Sequence, residues 1–195
     1  MKKLLLKTAI LTASLASMNA AFAVPVFFGG TGHYYEYIST SSTWATARTA
    51  ALGMTHLGMP GYLATVTSAP ENIFLTTLAR TGWLGGSDMV SEGAWLWMDG
   101  PEAGTQFWSG GPGGSTTTFA SWGGGEPNNL GNEDFLELSG GSWNDLPSRS
   151  RLGYFVEYDA PIITPQPDPI PVPTTAALFG LGLLGIAGLR KRKQK

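Results

Sequence analysis

The chain is 195 residues long and has no cysteine, so a disulfide framework is excluded and packing alone must hold one domain of about 135 residues between two discountable ends. Its formal net charge of −2 hides a sharp asymmetry: Lys2, Lys3 and Lys7 begin the chain, Arg190 to Lys195 end it, and only Arg48, Arg80, Arg149 and Arg151 serve a body with thirteen Asp and Glu between Glu36 and Asp159. A lysine-free acidic body of this kind excludes nucleic acid and anionic membranes as partners and favours cations.

The first 23 residues read as a secretory signal, with three lysines, an apolar run from Ala9 to Ala16 and the small-x-small site Ala21-Phe22-Ala23. Lys7 leaves too few apolar residues for a bilayer span, so export is expected. His33 to Ser39, with Tyr34, Tyr35, Tyr37 and Ile38, predicts the first strand. Ser41 or Ser42 is placed to cap a helix in which Trp44, Ala47, Ala51 and Met54 recur at helical spacing, with Gly53, Gly58 and Pro60 ending it. Leu63 to Val66 reads as a short strand, and Ser68-Ala69-Pro70-Glu71 as a capping box opening a second helix to about Arg80, with Ile73, Phe74 and Leu78 on its apolar face.

Trp83, Trp95 and Trp97 read as core tryptophans. From Gly104 to Gly125 the chain is Gly, Ser and Thr with Phe107, Trp108, Phe119 and Trp122 interleaved, which predicts a long packed loop. Phe135 to Leu138 and Gly153 to Tyr158 close the domain as strands.

Residues 123–147 concentrate five oxygen-bearing side chains, Glu126, Asn128, Glu133, Asn144 and Asp145. Three carboxylates and two amides, with no His or Cys among them, suit a hard cation that takes six to eight oxygens, which points to Ca2+. Glu126 and Asn128, two apart, share a side of the chain around Pro127, where a cis peptide bond is accessible. Asn144 and Asp145 alternate, so a bend or a backbone carbonyl is needed for both to face one ion.

These residues resemble the sugar-binding loop and strand of C-type lectin-like domains: Glu126-Pro127-Asn128, then Glu133-Asp134, then Trp143-Asn144-Asp145, in the family's order and spacing. Trp44-x-x-Ala47-Arg48 and Gly61 to Val66 with Glu71-Asn72 resemble the family's first half, and the likeness covers about residues 33 to 158. The resemblance implies an α+β C-type lectin-like fold, two helices and short antiparallel sheets with a long calcium-binding loop. It implies that the five residues are both the principal calcium ligands and the carbohydrate ligands, with the Glu-Pro-Asn order belonging to the mannose-type class. Asp88 and Glu92, completed by Asn129 and Asp134, match an accessory calcium site, with Asn129 standing where an acid is usual. Two disulfides usual in the family are missing: Ala51 and Val156 occupy one pair of positions, Phe135 and Ser148 the other.

Residues 161–173 hold six prolines and read as a semi-rigid linker. The end, 174–195, combines an apolar run from Ala176 to Leu189 with a basic tail and resembles a PEP-CTERM sorting signal, with Thr174 and Thr175 at the name-giving positions. That resemblance implies an exosortase as a partner during export and a transient inner-membrane segment over 176–189, both ends being lost from the mature form. The expected function is calcium-dependent binding of a mannose-type glycan or exopolysaccharide at the cell surface or in the extracellular matrix. The rival expectation is a structural or adhesive matrix protein of the same fold that binds no sugar. Enzymatic activity is not expected, since His33 and His56 are the chain's two imidazoles and neither has a clear nucleophile beside it.

Overall fold

The computed structural model describes residues 24–159. The expected signal, linker and sorting segment lie outside the described residues. The chain opens with β1 (Val26–Phe28) and β2 (His33–Ser42), an antiparallel pair. β2 then pairs along its length with the last strand, β10 (Leu152–Tyr158), so the two ends of the domain are stitched side by side. β10 also pairs antiparallel with β4 (Met59–Leu63) and, at Tyr154 and Trp83, parallel with β5 (Thr81–Ser87).

From β5 the sheet branches. One arm runs through β6 (Ala94–Trp97) to β7 (Gln106–Ser109), and the other through β8 (Phe135–Ser139) to β9 (Ser142–Leu146). The short antiparallel pairings expected from the sequence are thus joined, through one parallel contact, into a mixed sheet flanked by α1 (Trp44–Leu52) and α2 (Ala69–Leu78). Gly85 sits at the crossing of β4 and β5, where a Cβ would come within 2.5 Å of the Leu63 carbonyl oxygen.

Local boundaries differ from expectation for identifiable reasons. The cap of α1 is Thr43, not Ser41 or Ser42: Ser42 is held in the ladder opposite Leu152, and the Thr43 hydroxyl accepts the Thr46 N–H. Pro60, expected to terminate, lies inside β4 opposite the two-residue β3 (Thr55–His56), an edge where a missing donor is tolerated. The predicted strand over Leu63 to Val66 is therefore displaced toward the N-terminus. α2 ends at Leu78, and Ile73, expected on its apolar face, is 66% exposed while Leu75 is fully buried. Polar anchors rotate this helix, because the side chains of Glu71 and Asn72 are drawn inward by hydrogen bonds. The predicted loop from Gly104 is shorter than expected, since β7 pairs with β6 at Trp95 and Trp108.

Two apolar clusters form the core. The first joins Leu75, Leu84, Trp95, Trp97, Phe107 and Trp143 beneath the long loop, and the second joins Trp44, Ala51, Trp83, Phe135 and Val156 beneath α1. Ala51 and Val156, at one pair of positions where the family usually has cysteines, thus share a cluster. Of the other pair, Phe135 stacks on Trp44 with ring centroids 4.8 Å apart, and Ser148 is exposed.

Candidate functional site

Trp143 fixes the site to the core. Alternation along β9 buries Trp143 and Asp145 on one side and leaves Asn144 on the other. The Trp143 ring meets Trp97, Phe107, Phe119 and Trp122 edge-on, and its indole N–H donates to Asn72 Oδ1 at 2.8 Å. Backbone bonds from Gly123 N–H to the Trp143 carbonyl (2.8 Å) and from Trp143 N–H to the Ser121 carbonyl (2.7 Å) dock the long loop onto β9. The Glu126-Pro127 peptide that follows is cis.

Asp145, buried at the root of this loop, accepts the Asn128 N–H on Oδ1 (3.1 Å) and the Asn129 N–H on Oδ2 (2.7 Å). The Leu130 N–H points between Asn128 Oδ1 (2.8 Å) and Glu133 Oε2 (3.1 Å), and the Glu133 N–H donates to Asn129 Oδ1 (2.7 Å). Backbone amides thus gather Asn128, Glu133 and Asp145 around one turn of chain. Glu126 lies against the same group, and its Oε2 is shielded from solvent without any hydrogen-bond partner.

The electrostatics are those of crowded acids. Burial, then the neighbouring Asp145 carboxylate, holds the Glu126 carboxyl above its ordinary range, with Asn128 partly offsetting. Burial and then Asp145 do the same to Glu133, against an opposing Leu130 N–H. Among the described residues the only guanidinium within salt-bridge distance of a carboxylate is Arg48, on Asp99, away from this loop.

Asn144 is the member of the predicted set placed apart. Its amide nitrogen donates to the Asp145 backbone carbonyl (2.9 Å) and to Glu137 Oε2 (3.2 Å), so the strand offers a carbonyl beside Asn144 in place of a bend. Glu137 was not expected at the site. It is 8% exposed, with its carboxyl raised by burial against the opposing Asn144 amide. Its signal in the sequence was an acid flanked by Leu136 and Leu138 within a strand.

The proposed accessory set is also partly assembled. Asp88 is buried, its Oδ2 accepting the Gly93 N–H at 2.9 Å and its Oδ1 without a partner. Burial first, with Glu92 and Asp134 adding repulsion, pushes the Asp88 carboxyl up to about 6. Asp134 receives the Asn132 amide (2.7 Å), while the Asn129 oxygen is turned to the Glu133 N–H. Both groups offer an oxygen-only donor set, carboxylates without a salt bridge and an inward carboxylate oxygen without a partner. The residues present fit a bound calcium.

The comparisons with known proteins agree with this geometry. The domain of cow CD23, a C-type carbohydrate-recognition domain determined in the presence of a GlcNAc2Man3 oligosaccharide, superposes with a TM-score of 0.55 at 27% identity, covering 70% of this chain and 93% of that one. The domain has the C-type lectin-like fold. Halomucin of Haloquadratum walsbyi is 41% identical over 132 residues, and C-type lectin domain family 4 member M of Gorilla gorilla gorilla is 33% identical over 118 residues. These alignments span 65% and 58% of this chain but 1% and 27% of those proteins, so the lectin-like domain is similar to only a part of each. A calcium-independent type II antifreeze protein shares the fold at 21% identity and a TM-score of 0.53. Beyond the lectin-like domain, residues 169–193 match the PEP-CTERM protein-sorting motif.

Proposed function

We propose that the lectin-like domain is an exported, calcium-dependent carbohydrate-binding module for mannose-type glycans or exopolysaccharide. The observation that carries this reading is the shielded, unpartnered Glu126 Oε2 standing beside the Glu133 and Asp145 carboxylates, where Arg149 only partly offsets the charge at Glu133 and, among the described residues, no guanidinium comes within salt-bridge distance. Glu126, Asn128, Glu133, Asn144 and Asp145 would hold the principal ion, and Asp88, Glu92, Asn129 and Asp134 a weaker accessory one. Bound calcium supplies coordination positions that two neighbouring sugar hydroxyls complete. The Glu126 and Glu133 carboxylates accept hydrogen bonds from those hydroxyls, and the Asn128 and Asn144 amides donate to them. The Glu-Pro-Asn order supports a preference for equatorial 3- and 4-hydroxyls.

A glycan array probed with and without chelator tests this reading. Mannose-type retention that disappears with chelator is expected, and retention unaffected by chelator contradicts it. The double variant Glu126→Gln with Asn128→Asp exchanges donor and acceptor at constant charge and is expected to move preference toward galactose. A second reading, a structural or adhesive matrix protein that binds no sugar, draws support from the calcium-independent antifreeze protein of the same fold. An array that retains no glycan in either condition favours it.

The sorting motif supports export to the cell surface or matrix through an exosortase, with 176–189 crossing the inner membrane transiently and the segment before it, 161–173, acting as linker. Cleavage is proposed after Ala23 and again between Val172 and Thr175. Mass spectrometry of the surface species is expected to find no peptide from Ala176 to Leu189; finding one identifies a permanent anchor.

A further inference from the structure

A second group of acids lies at the joined ends of the domain, on β2, α2 and β10. Glu157, 2% exposed, accepts the Thr65 N–H (2.9 Å) and hydroxyl (3.1 Å) on Oε2. On Oε1 it faces the Tyr35 hydroxyl (3.0 Å) and His33 Nδ1 (2.6 Å). The Tyr35 hydroxyl also points at Glu71 Oε1 (2.7 Å), so two buried carboxylates converge on one phenolic proton. Asp159, held by the Tyr62 hydroxyl, lies 3.5 Å from His33 Nδ1, and Glu102 reaches the Thr65 hydroxyl at 3.0 Å. The hydrogen bonds are largely satisfied, but the charge is not: Glu102, Glu157 and Asp159 act on a single imidazole, and Glu71 adds its charge behind Glu157.

We propose that His33 Nδ1, Glu157 Oε1 and Asp159 Oδ form a divalent transition-metal site, of the class that takes zinc, which clips the beginning of β2 to the end of β10. The three ligand atoms lie within 4.8 Å of one another. Tetrahedral zinc with bonds near 2.0–2.1 Å sets its ligands about 3.3 Å apart, so the Nδ1 to Asp159 spacing already fits and the Nδ1 to Glu157 contact need open by only about 0.7 Å. One imidazole with two carboxylates and an open fourth position for water suits zinc, whereas the calcium loop offers oxygen alone. His33 and Asp159 are partly exposed, 23% and 37%, which gives the ion a route in. The Tyr35, Thr65 and Tyr62 donors hold the carboxylates in place, as the groups behind metal ligands commonly do. In a domain without cysteine, such a clip would reinforce the backbone ladder that joins β2 to β10.

Binding requires the proton between His33 and Glu157 to leave, because zinc takes neutral imidazole. That proton is held firmly, with the Glu157 hydrogen bond raising the His33 pKa despite its burial.

The test is isothermal titration of zinc chloride into the full chain saturated with calcium, in two buffers of different ionisation enthalpy. One equivalent of zinc, with proton release to the buffer, is expected. His33→Gln and, separately, Asp159→Asn are expected to weaken zinc at least tenfold and leave calcium affinity unchanged, and His56→Gln to leave zinc binding intact. Near-ultraviolet circular dichroism confirms that each variant folds. Absence of zinc binding by the calcium-saturated chain, or undiminished binding in folded His33→Gln, overturns the proposal.

Discussion

The domain holds two groups of acids, and they are treated differently. In the loop group, Asp145 and Glu133 take hydrogen bonds from backbone N–H groups, and Glu126 Oε2 takes none. In the interior group, Glu71 and Glu157 are met, beyond the Thr67 and Thr65 backbone N–H groups, by side-chain donors: Tyr35, Thr65, Thr67 and His33. Backbone amides fix where a carboxylate points without covering its remaining lone pairs. Side-chain donors fill them. The loop group is built to be completed from outside, whereas the interior group has its carboxylates fixed within the fold before any ion binds.

The largest effect expected from this contrast is at Tyr35. Tyr35→Phe removes the one hydroxyl between Glu71 and Glu157 and leaves buried carboxylates short of a donor, at a cost of about 3 kcal/mol in unfolding free energy. Chemical denaturation measures it, and calcium affinity is expected to be unchanged. A calcium affinity that falls with stability would show that the two groups are not separate.

Next is Glu126→Gln. It is expected to weaken calcium at least tenfold by titration while raising the melting temperature of the calcium-free domain, because it relieves repulsion among Glu126, Glu133 and Asp145. A fall in calcium-free stability would mean that Glu126 has a protein partner.

The pH response follows from the same contrast. Asp88, Glu126, Glu133 and Glu137 all have raised carboxyl pKa values in the fold, Asp88 at about 6. A raised carboxyl stabilises the fold fully below its unfolded value and loses that stabilisation as pH rises through its folded value. His33, also raised, has the same sign, its contribution fading as pH rises through a value above 6.5. Calcium-free protein is therefore expected to gain stability on acidification from pH 8 to pH 5. Calcium-loaded protein is expected to lose its advantage over the same interval as the ligands protonate. The difference in melting temperature between calcium and chelator is the readout, and a difference that grows with acid contradicts the account.

The smallest effect is at Thr67, whose hydroxyl and N–H both serve Glu71 Oε2. Thr67→Val keeps the N–H and is expected to cost about 1 kcal/mol. A loss comparable to that of Tyr35→Phe would show that Glu71 depends on the hydroxyl and not on the backbone.

Much of the loop group was legible in the sequence because its members lie within 123–147 and their chemistry is carried by residue type and spacing. The core tryptophans were legible for a similar reason, since Trp44, Ala47 and Ala51 keep one helical face. The rotation of α2 was not: Ile73 and Leu75 are equally apolar, and the choice is made by Glu71 and Asn72 bonding to residues far along the chain. Ser68 caps that helix as expected, but the carboxylate of its capping-box partner reaches the Thr67 N–H and hydroxyl and the Tyr35 hydroxyl. The His33 to Glu157 pair spans 124 positions with no motif to link them. The second half of each such pairing exists only once β2 and β10 lie side by side.

The most direct measurement of the central claim is a calcium titration of protein retention on immobilised mannan. Retention is expected to rise with calcium to saturation, to be abolished by chelator, and to be lost in Glu126→Gln and Asp145→Asn while both variants remain folded. Retention independent of calcium, or no retention at saturating calcium by protein whose melting temperature calcium has raised, contradicts it.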